Sequence, residues 1–192
     1  MNWLEKKYHK RIDLSINEKK NSFLEGTGSL VLDRINKIAF SSLSERTSTN
    51  LVFEWTRLMN YQSLFFSSFD KNEKLIYHTN VMFCLADKFA IVCLEAIQTA
   101  DEKRQVKSKL EETNHEIIEI SKNQLHHFCA NCLQLQNKKG ELFLIMSDNA
   151  FNNFLPEQLN SINNSCRIIH TDLNTIEKHG GGSARCMIAE LF

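Results

Sequence analysis

The feature that most constrains this chain is that it repeats itself. Residues 3–15 (WLEKKYHKRIDLS) lie over residues 109–121 (KLEETNHEIIEIS) at an offset of 106, with Leu4 over Leu110, Glu5 over Glu111, His9 over His115, Ile12 over Ile118 and Ser15 over Ser121. Half of that offset, 53, recurs elsewhere. SLVLDRINKIAF (29–40) has counterparts in MFCLADKFAIV (82–92), in CLQLQNKKGELFLIM (132–146) and, partially, in CMIAELF (186–192). A period near 50 residues marks an architecture built by stacking one supersecondary unit.

Each period opens with two apolar runs around a tight polar turn, at residues 33–37, 86–88 and 136–141, which is the pattern of a β-hairpin. Helical spacing follows at 49–59 (Leu51, Val52, Trp55, Leu58, Met59), at 100–112 (Val106, Leu110) and at 152–162 (Leu155, Leu159, Ile162). Ser48 or Thr49, Thr99 and the Leu155-Pro156 pair suit helix starts, with Pro156 in a first turn. A short apolar run closes each unit, at 63–66, 117–120 and 167–170. The expected module is therefore ββαβ, in an α/β chain with three full modules, a leading helix and strand over about 1–16, and a terminal strand at 186–192. A unit of this size cannot bury its own sheet and helix, so neighbouring modules must share a core. If they are arranged radially, like short propeller blades, Glu25-Gly26, His78-Thr79, Phe128-Cys129 and Arg185-Cys186 fall at the starts of first strands and converge at one mouth of the axis.

Composition narrows the function classes. With 42% apolar and 24% charged residues, six glycines and one proline, the chain has enough to bury and is neither collagenous nor disordered. Lys plus Arg and Asp plus Glu both number 23, so no basic excess points to nucleic acid or an anionic membrane. The most apolar stretch, 81–94, is broken by Asp87 and Lys88, and no segment reaches the roughly 18 apolar residues of a membrane span. The start, MNWLEKKYHKR, lacks the apolar stretch of a secretory signal, which makes the cytoplasm the expected compartment. Six cysteines in 192 residues are too sparse for a disulfide scaffold.

The converging positions carry a carboxylate (Glu25), an imidazole (His78) and a thiol (Cys186), the parts of covalent nucleophilic catalysis. Each alone has an ordinary structural reading, as a surface acid, a satisfied histidine or a buried cysteine. Their shared phase and the glycines at 26, 28 and 180–182 weigh against that reading. Two other segments compete. HHFCANC (126–132) pairs two histidines with a CxxC, a metal half-site without a second half, on a stretch expected as strand with Cys129 and Cys132 on opposite faces. DEKRQVKSKLEE (101–112) reads as the solvated face of a helix.

Four motifs, LEGTGSLVLDR (24–34), SLSERT (42–47), YHTNVMFC (77–84) and TIEKHGGGSARCMIAELF (175–192), resemble the amidinotransferase and arginine deiminase superfamily of guanidine-modifying enzymes, the penteins. The likeness is strongest to the bacterial amidinotransferase-like branch of citrulline-utilisation hydrolases, near the dimethylarginine dimethylaminohydrolases. It implies five ββαβ modules about a pseudo-fivefold axis. It also implies Cys186 as the nucleophile toward the amidino carbon, His78 as general acid and base, and Glu25 as the group orienting His78. Arg46 matches an arginine that contacts a substrate carboxylate, and Gly182 and Ser183 line the substrate beside it. Asn80, expected on the same strand face as His78, stands where arginine deiminases carry an aspartate, which argues against a plain arginine deiminase. The implied partner is a small guanidino or ureido substrate, with no cofactor and no metal.

In the resembling proteins a further N-terminal region precedes the LEGTG motif, with an FPNNW-like segment and an acidic residue that grips the guanidinium. Neither has a counterpart in this chain. The expectation is thus a single incomplete pentein domain over 1–192, lacking one or more N-terminal modules and holding three full modules with two partial ones. Its open sheet edges offer a route to homo-oligomers. The alternative from another class is a truncated, non-catalytic remnant or interaction module.

Overall fold

The computed structural model describes residues 12–190. Within them the chain forms three separate three-stranded sheets, each with the same local order. In the first, β1 (Val31–Asp33) pairs antiparallel with β2 (Ile38–Ser42), with Val31 opposite Phe40, and β3 (Gln62–Phe66) returns parallel to β2, with Phe40 opposite Leu64. In the second, β4 (Phe83–Leu85) pairs antiparallel with β5 (Phe89–Val92), and β6 (Glu116–Glu119) runs parallel to β5. The third repeats the arrangement with β7 (Leu133–Gln136), β8 (Leu142–Ser147) and β9 (Arg167–Thr171).

Three to five residues apart in sequence, the antiparallel pairs close through tight turns; the parallel pairs need a crossover, and a helix supplies it. The crossovers are Thr49–Met59, Ala100–Glu112 and, in the third sheet, the two helices Asp148–Asn153 and Pro156–Ser165. The first two have the bounds their spacing predicts, and the second is fixed by a reciprocal cap in which the Thr99 hydroxyl accepts from the Glu102 N–H while the Glu102 side chain accepts from the Thr99 N–H. The third differs from the single helix expected at 152–162. Pro156 lacks an N–H and biases Leu155 to an extended conformation (φ −75°, ψ 151°), so the helix is broken there and a second begins at the proline.

The middle strands of the first two sheets are covered on both faces, and β5 accordingly reads as a continuous apolar run. Every residue of β2 and β5 is buried. One core runs through all three sheets, with Phe40, Phe66, Phe83, Phe89, Leu110, Leu144, Met146 and Ile162 among its largest fully buried side chains. Phe40 and Phe83 meet edge to face at 4.9 Å and join the first sheet to the second. The first strands of successive sheets face each other, β1 against β4 and β4 against β7, and helix Ala100–Glu112 of the second unit packs on β3, the last strand of the first. Gln158, in the third crossover, donates from Nε2 to the Glu119 carbonyl at the end of β6 (2.7 Å).

Other expectations are corrected. Residues 12–14 carry no strand and Ser15–Lys20 form a 3-10 turn; the rest of the element expected at 1–16 lies outside the described residues. The terminal strand expected from Cys186 is a 3-10 turn, Ala184–Met187, closed by the Cys186 N–H donating to the Ser183 carbonyl, and residues 188–190 pair with no sheet. The HHFCANC segment is not strand either. A helix, Lys122–His126, ends there in a tight turn with Phe128 in the left-handed conformation (φ 61°), and β7 starts only at Leu133.

Candidate functional site

The segments entering β1 and β4 are built alike. Each is a one-turn helix, Gly26–Ser29 and Thr79–Met82, and the two helices pack on each other. Glu25 and His78 are the residues that immediately precede these turns, so the pseudo-repeat sets one against the other: His78 Nε2 lies 2.8 Å from Glu25 Oε2. The His78 ring is mostly buried and the Glu25 carboxylate half-exposed. Their close approach depends on Gly28, where a Cβ would stand 2.7 Å from the His78 ring atoms. Thr79 fastens the arrangement from below, donating from its hydroxyl to the Ser29 carbonyl (2.6 Å) and accepting from the Ser42 N–H (2.8 Å). Burial pulls the His78 pKa below its ordinary 6.5, the hydrogen bond and charge of Glu25 push it back up, and the Arg46 guanidinium again lowers it.

Arg46 stands beside this pair, its Nη1 3.7 Å from Glu25 Oε2 and its guanidinium 5.0 Å above the Tyr77 ring. Asn80 is in the one-turn helix rather than on a strand with His78, because the chain coils directly after His78 before β4 begins. The shift moves Asn80 toward the thiol: its Oδ1 is 4.0 Å from Cys186 Sγ.

Cys186 sits in the 3-10 turn after the glycine run. Gly181 takes the left-handed conformation (φ 68°) that ends helix Asn174–Gly180, and a Cβ at Gly182 would stand 2.9 Å from both Cβ and Sγ of Cys186. Of the six cysteines Cys186 alone is exposed. The buried thiols are pushed up by desolvation, Cys84, Cys93 and Cys129 to about 12. Cys129 and Cys132 spend their S–H groups on the Ala150 and Cys129 carbonyls (3.5 and 3.1 Å).

Three residues absent from the sequence reading complete the site. Tyr77 links its two halves: its ring stacks obliquely on His78 at 5.0 Å, its hydroxyl donates to the Gly181 carbonyl (2.6 Å), and its pKa is raised by burial and then by Cys186. Asn131 contacts the sulfur, with Nδ2 3.2 Å from Cys186 Sγ. Glu177, a buried acid, accepts from the Ser183 hydroxyl (2.6 Å) and from Asn149 Nδ2 (2.9 Å), anchoring the glycine loop to the third unit. Two of these were within reach: Tyr77 adjoins His78 within the YHTNVMFC motif, and Glu177 is a lone acid beside the glycine run.

Solved structures share this fold. The arginine dihydrolase ArgZ from the ornithine-ammonia cycle in cyanobacteria, in its apo form, superposes with a TM-score of 0.75 at 16% identity, over 99% of this chain and 28% of that one. A mutant of AgrE in binary complex with L-arginine gives 0.73 at 19%, over 97% and 25%. The amidinotransferase SxtG from Microseira wollei, of the saxitoxin biosynthetic pathway, gives 0.56 at 15%, over 83% and 42%. The chain therefore spans well under half the length of these relatives. No curated protein sequence matches it. Together with a family model that matches the whole chain, this shared fold places it in the pentein superfamily of amidinotransferases and dimethylarginine dimethylhydrolases. More narrowly, the family model described as N,N dimethylarginine dimethylhydrolase, eukaryotic, matches residues 1–192, and the chain belongs to that family.

Among the described residues no group of three or more His, Cys, Asp or Glu side chains is placed to hold a metal ion, and no helix is long and apolar enough to cross a membrane.

Proposed function

We propose that this chain carries the catalytic half-site of a hydrolase acting on the guanidino group of arginine or an N-methylated arginine, Asn80 weighing toward the methylated substrate, in a pentein ring to which its three ββαβ units contribute. The observation that carries the reading is that Tyr77 packs on His78 of the Glu25–His78 pair and bonds through its hydroxyl to the glycine run that leads to the one exposed thiol.

The Cys186 thiolate attacks the electrophilic guanidinium carbon and forms a C–S bond, giving a tetrahedral adduct. Protonated His78 delivers its proton to the leaving nitrogen as the C–N bond breaks, which releases ammonia or a methylated amine and leaves an S-linked thiouronium on Cys186. Neutral His78 then takes a proton from water, whose oxygen attacks the same carbon. Collapse expels the thiolate and yields a ureido product. Glu25 holds the imidazole in one orientation and stabilises its charged form. Half-exposed Arg46 receives the substrate carboxylate, and Asn80 faces the reacting carbon from beside the sulfur. Gly182 lets the substrate approach the sulfur without a side chain between them. Ser183, buried with its hydroxyl on Glu177, fits a residue that fixes the loop.

The test compares wild type and Cys186→Ser in a ureido-product assay on arginine, dimethylarginine and monomethylarginine. The expected result is at least about a thousandfold loss in the variant with an unchanged circular-dichroism spectrum. Comparable turnover by Cys186→Ser would defeat the reading.

A further inference from the structure

Asn131 stands two residues before β7 and is 1% exposed, and its amide is spent entirely on the segments around the nucleophile. Its Oδ1 accepts the Ser183 N–H (3.0 Å) and its backbone carbonyl accepts the Arg185 N–H (3.1 Å), so it grips the nucleophile loop on both sides of Ala184. Its Nδ2 donates to the Asn80 carbonyl (2.9 Å), tying that loop to the turn after His78. These partners admit one orientation of the amide. A backbone N–H can only donate and a carbonyl can only accept, so exchanging Oδ1 and Nδ2 would break both bonds. The second Nδ2 hydrogen is left aimed at Cys186 Sγ, 3.2 Å away.

We propose that Asn131 is a positioning residue for Cys186 that holds the sulfur in place and favours its thiolate form through this N–H···S contact. The proposal builds on Cys186 as the nucleophile. A thiolate is a far better acceptor than a thiol, so a donor locked in position by two backbone groups stabilises the ionised sulfur more than the neutral one. An asparagine needed only to brace the loop would be complete with the Ser183 and Asn80 bonds, and the contact with sulfur is what separates the two roles.

The experiment is the pH dependence of Cys186 alkylation by iodoacetamide in the full chain, read by peptide mass spectrometry, in wild type and Asn131→Asp. Aspartate keeps the size and the acceptor for Ser183 but turns a carboxylate oxygen toward the sulfur. The alkylation midpoint is expected to rise by about one pH unit or more, a roughly tenfold smaller thiolate fraction below the midpoint. A folded variant with the wild-type midpoint overturns the proposal. Should that variant not fold, the side-chain 15N–1H resonances of Asn131 in the wild-type chain decide: they are expected to follow the Cys186 titration and to stop doing so in Cys186→Ala, and a pH-independent resonance overturns the proposal. Neither readout uses a guanidino substrate. A failed product assay with a shifted midpoint would therefore count against the proposed reaction alone.

Discussion

The core and the rim of this molecule hold the same residue type in opposite environments. Cys84, Cys93, Cys129, Cys132 and Cys166 are packed among apolar side chains, where desolvation penalises a thiolate and raises every one of their pKa values. Cys186 is exposed on the turn that follows the glycine run, within reach of two asparagine side chains, and Tyr77 bonds that run at Gly181 while its ring packs on the histidine of the histidine–carboxylate pair. Cysteine chemistry is thus decided by what surrounds the sulfur, and a count of six thiols says little until they are sorted this way.

The contrast can be broken most severely at the two glycines that let the rim close up. Gly182→Ala would place a methyl 2.9 Å from Cys186 Sγ, and Gly28→Ala one 2.7 Å from the His78 ring. Each should lower kcat/KM by about a hundredfold, since displacing a reacting group by an ångström costs that much. Gly181→Ala is the control. It meets nothing within 4 Å but must hold φ +68°, so it should lose stability by about 1 kcal/mol in thermal melts while keeping most of its activity. Equal activity in all three variants would show that the rim is looser than described.

A smaller effect is expected from Glu25→Gln. With the charge of Glu25 gone, burial acts on His78 with less opposition, and its pKa falls further below 6.5. The limb of the kcat/KM profile set by protonated His78 should move to more acid pH, with a loss of about tenfold near neutrality. Stability follows the same sign. A histidine with a lowered folded-state pKa contributes stability above 6.5 that is lost as pH falls through the lowered value, so in Glu25→Gln that loss should begin near the same pH and continue further into acid. An unmoved limb would separate Glu25 from the titration of His78.

The smallest effect lies in the core. Cys129→Ala removes a buried thiol that bonds to the Ala150 carbonyl, and should cost about 1 kcal/mol in denaturant unfolding with activity unchanged within about twofold. A large activity loss in a stably folded Cys129→Ala chain would erase the distinction between core and rim.

Features that local chemistry signals strongly were legible in the sequence. The ββαβ order follows from hairpin turns and 3.6-residue spacing, and the bounds of helix Ala100–Glu112 from the Thr99 and Glu102 cap. Glu25 and His78 were legible because the repeat puts them at matching positions before matching turns. The turns themselves were not, since a four-residue helix such as Thr79–Met82 shows no periodicity, and Asn80 was therefore placed on a strand. The terminal turn at Ala184–Met187 was missed for a tertiary reason: its backbone is held by Asn131, more than fifty residues earlier in the chain. Asn131 lay inside a segment whose two cysteines suggested metal binding, where the neutral amide between them drew no notice.

The central claim, that Cys186 alone among the thiols attacks the guanidino carbon, is tested most directly by acid-quenching the chain during turnover of arginine or dimethylarginine and mapping adducts by peptide mass spectrometry. The expected result is a single amidino adduct on the Cys186 peptide, absent from Cys186→Ser. Turnover with the adduct on any other cysteine, or with product formed by Cys186→Ser, would contradict it.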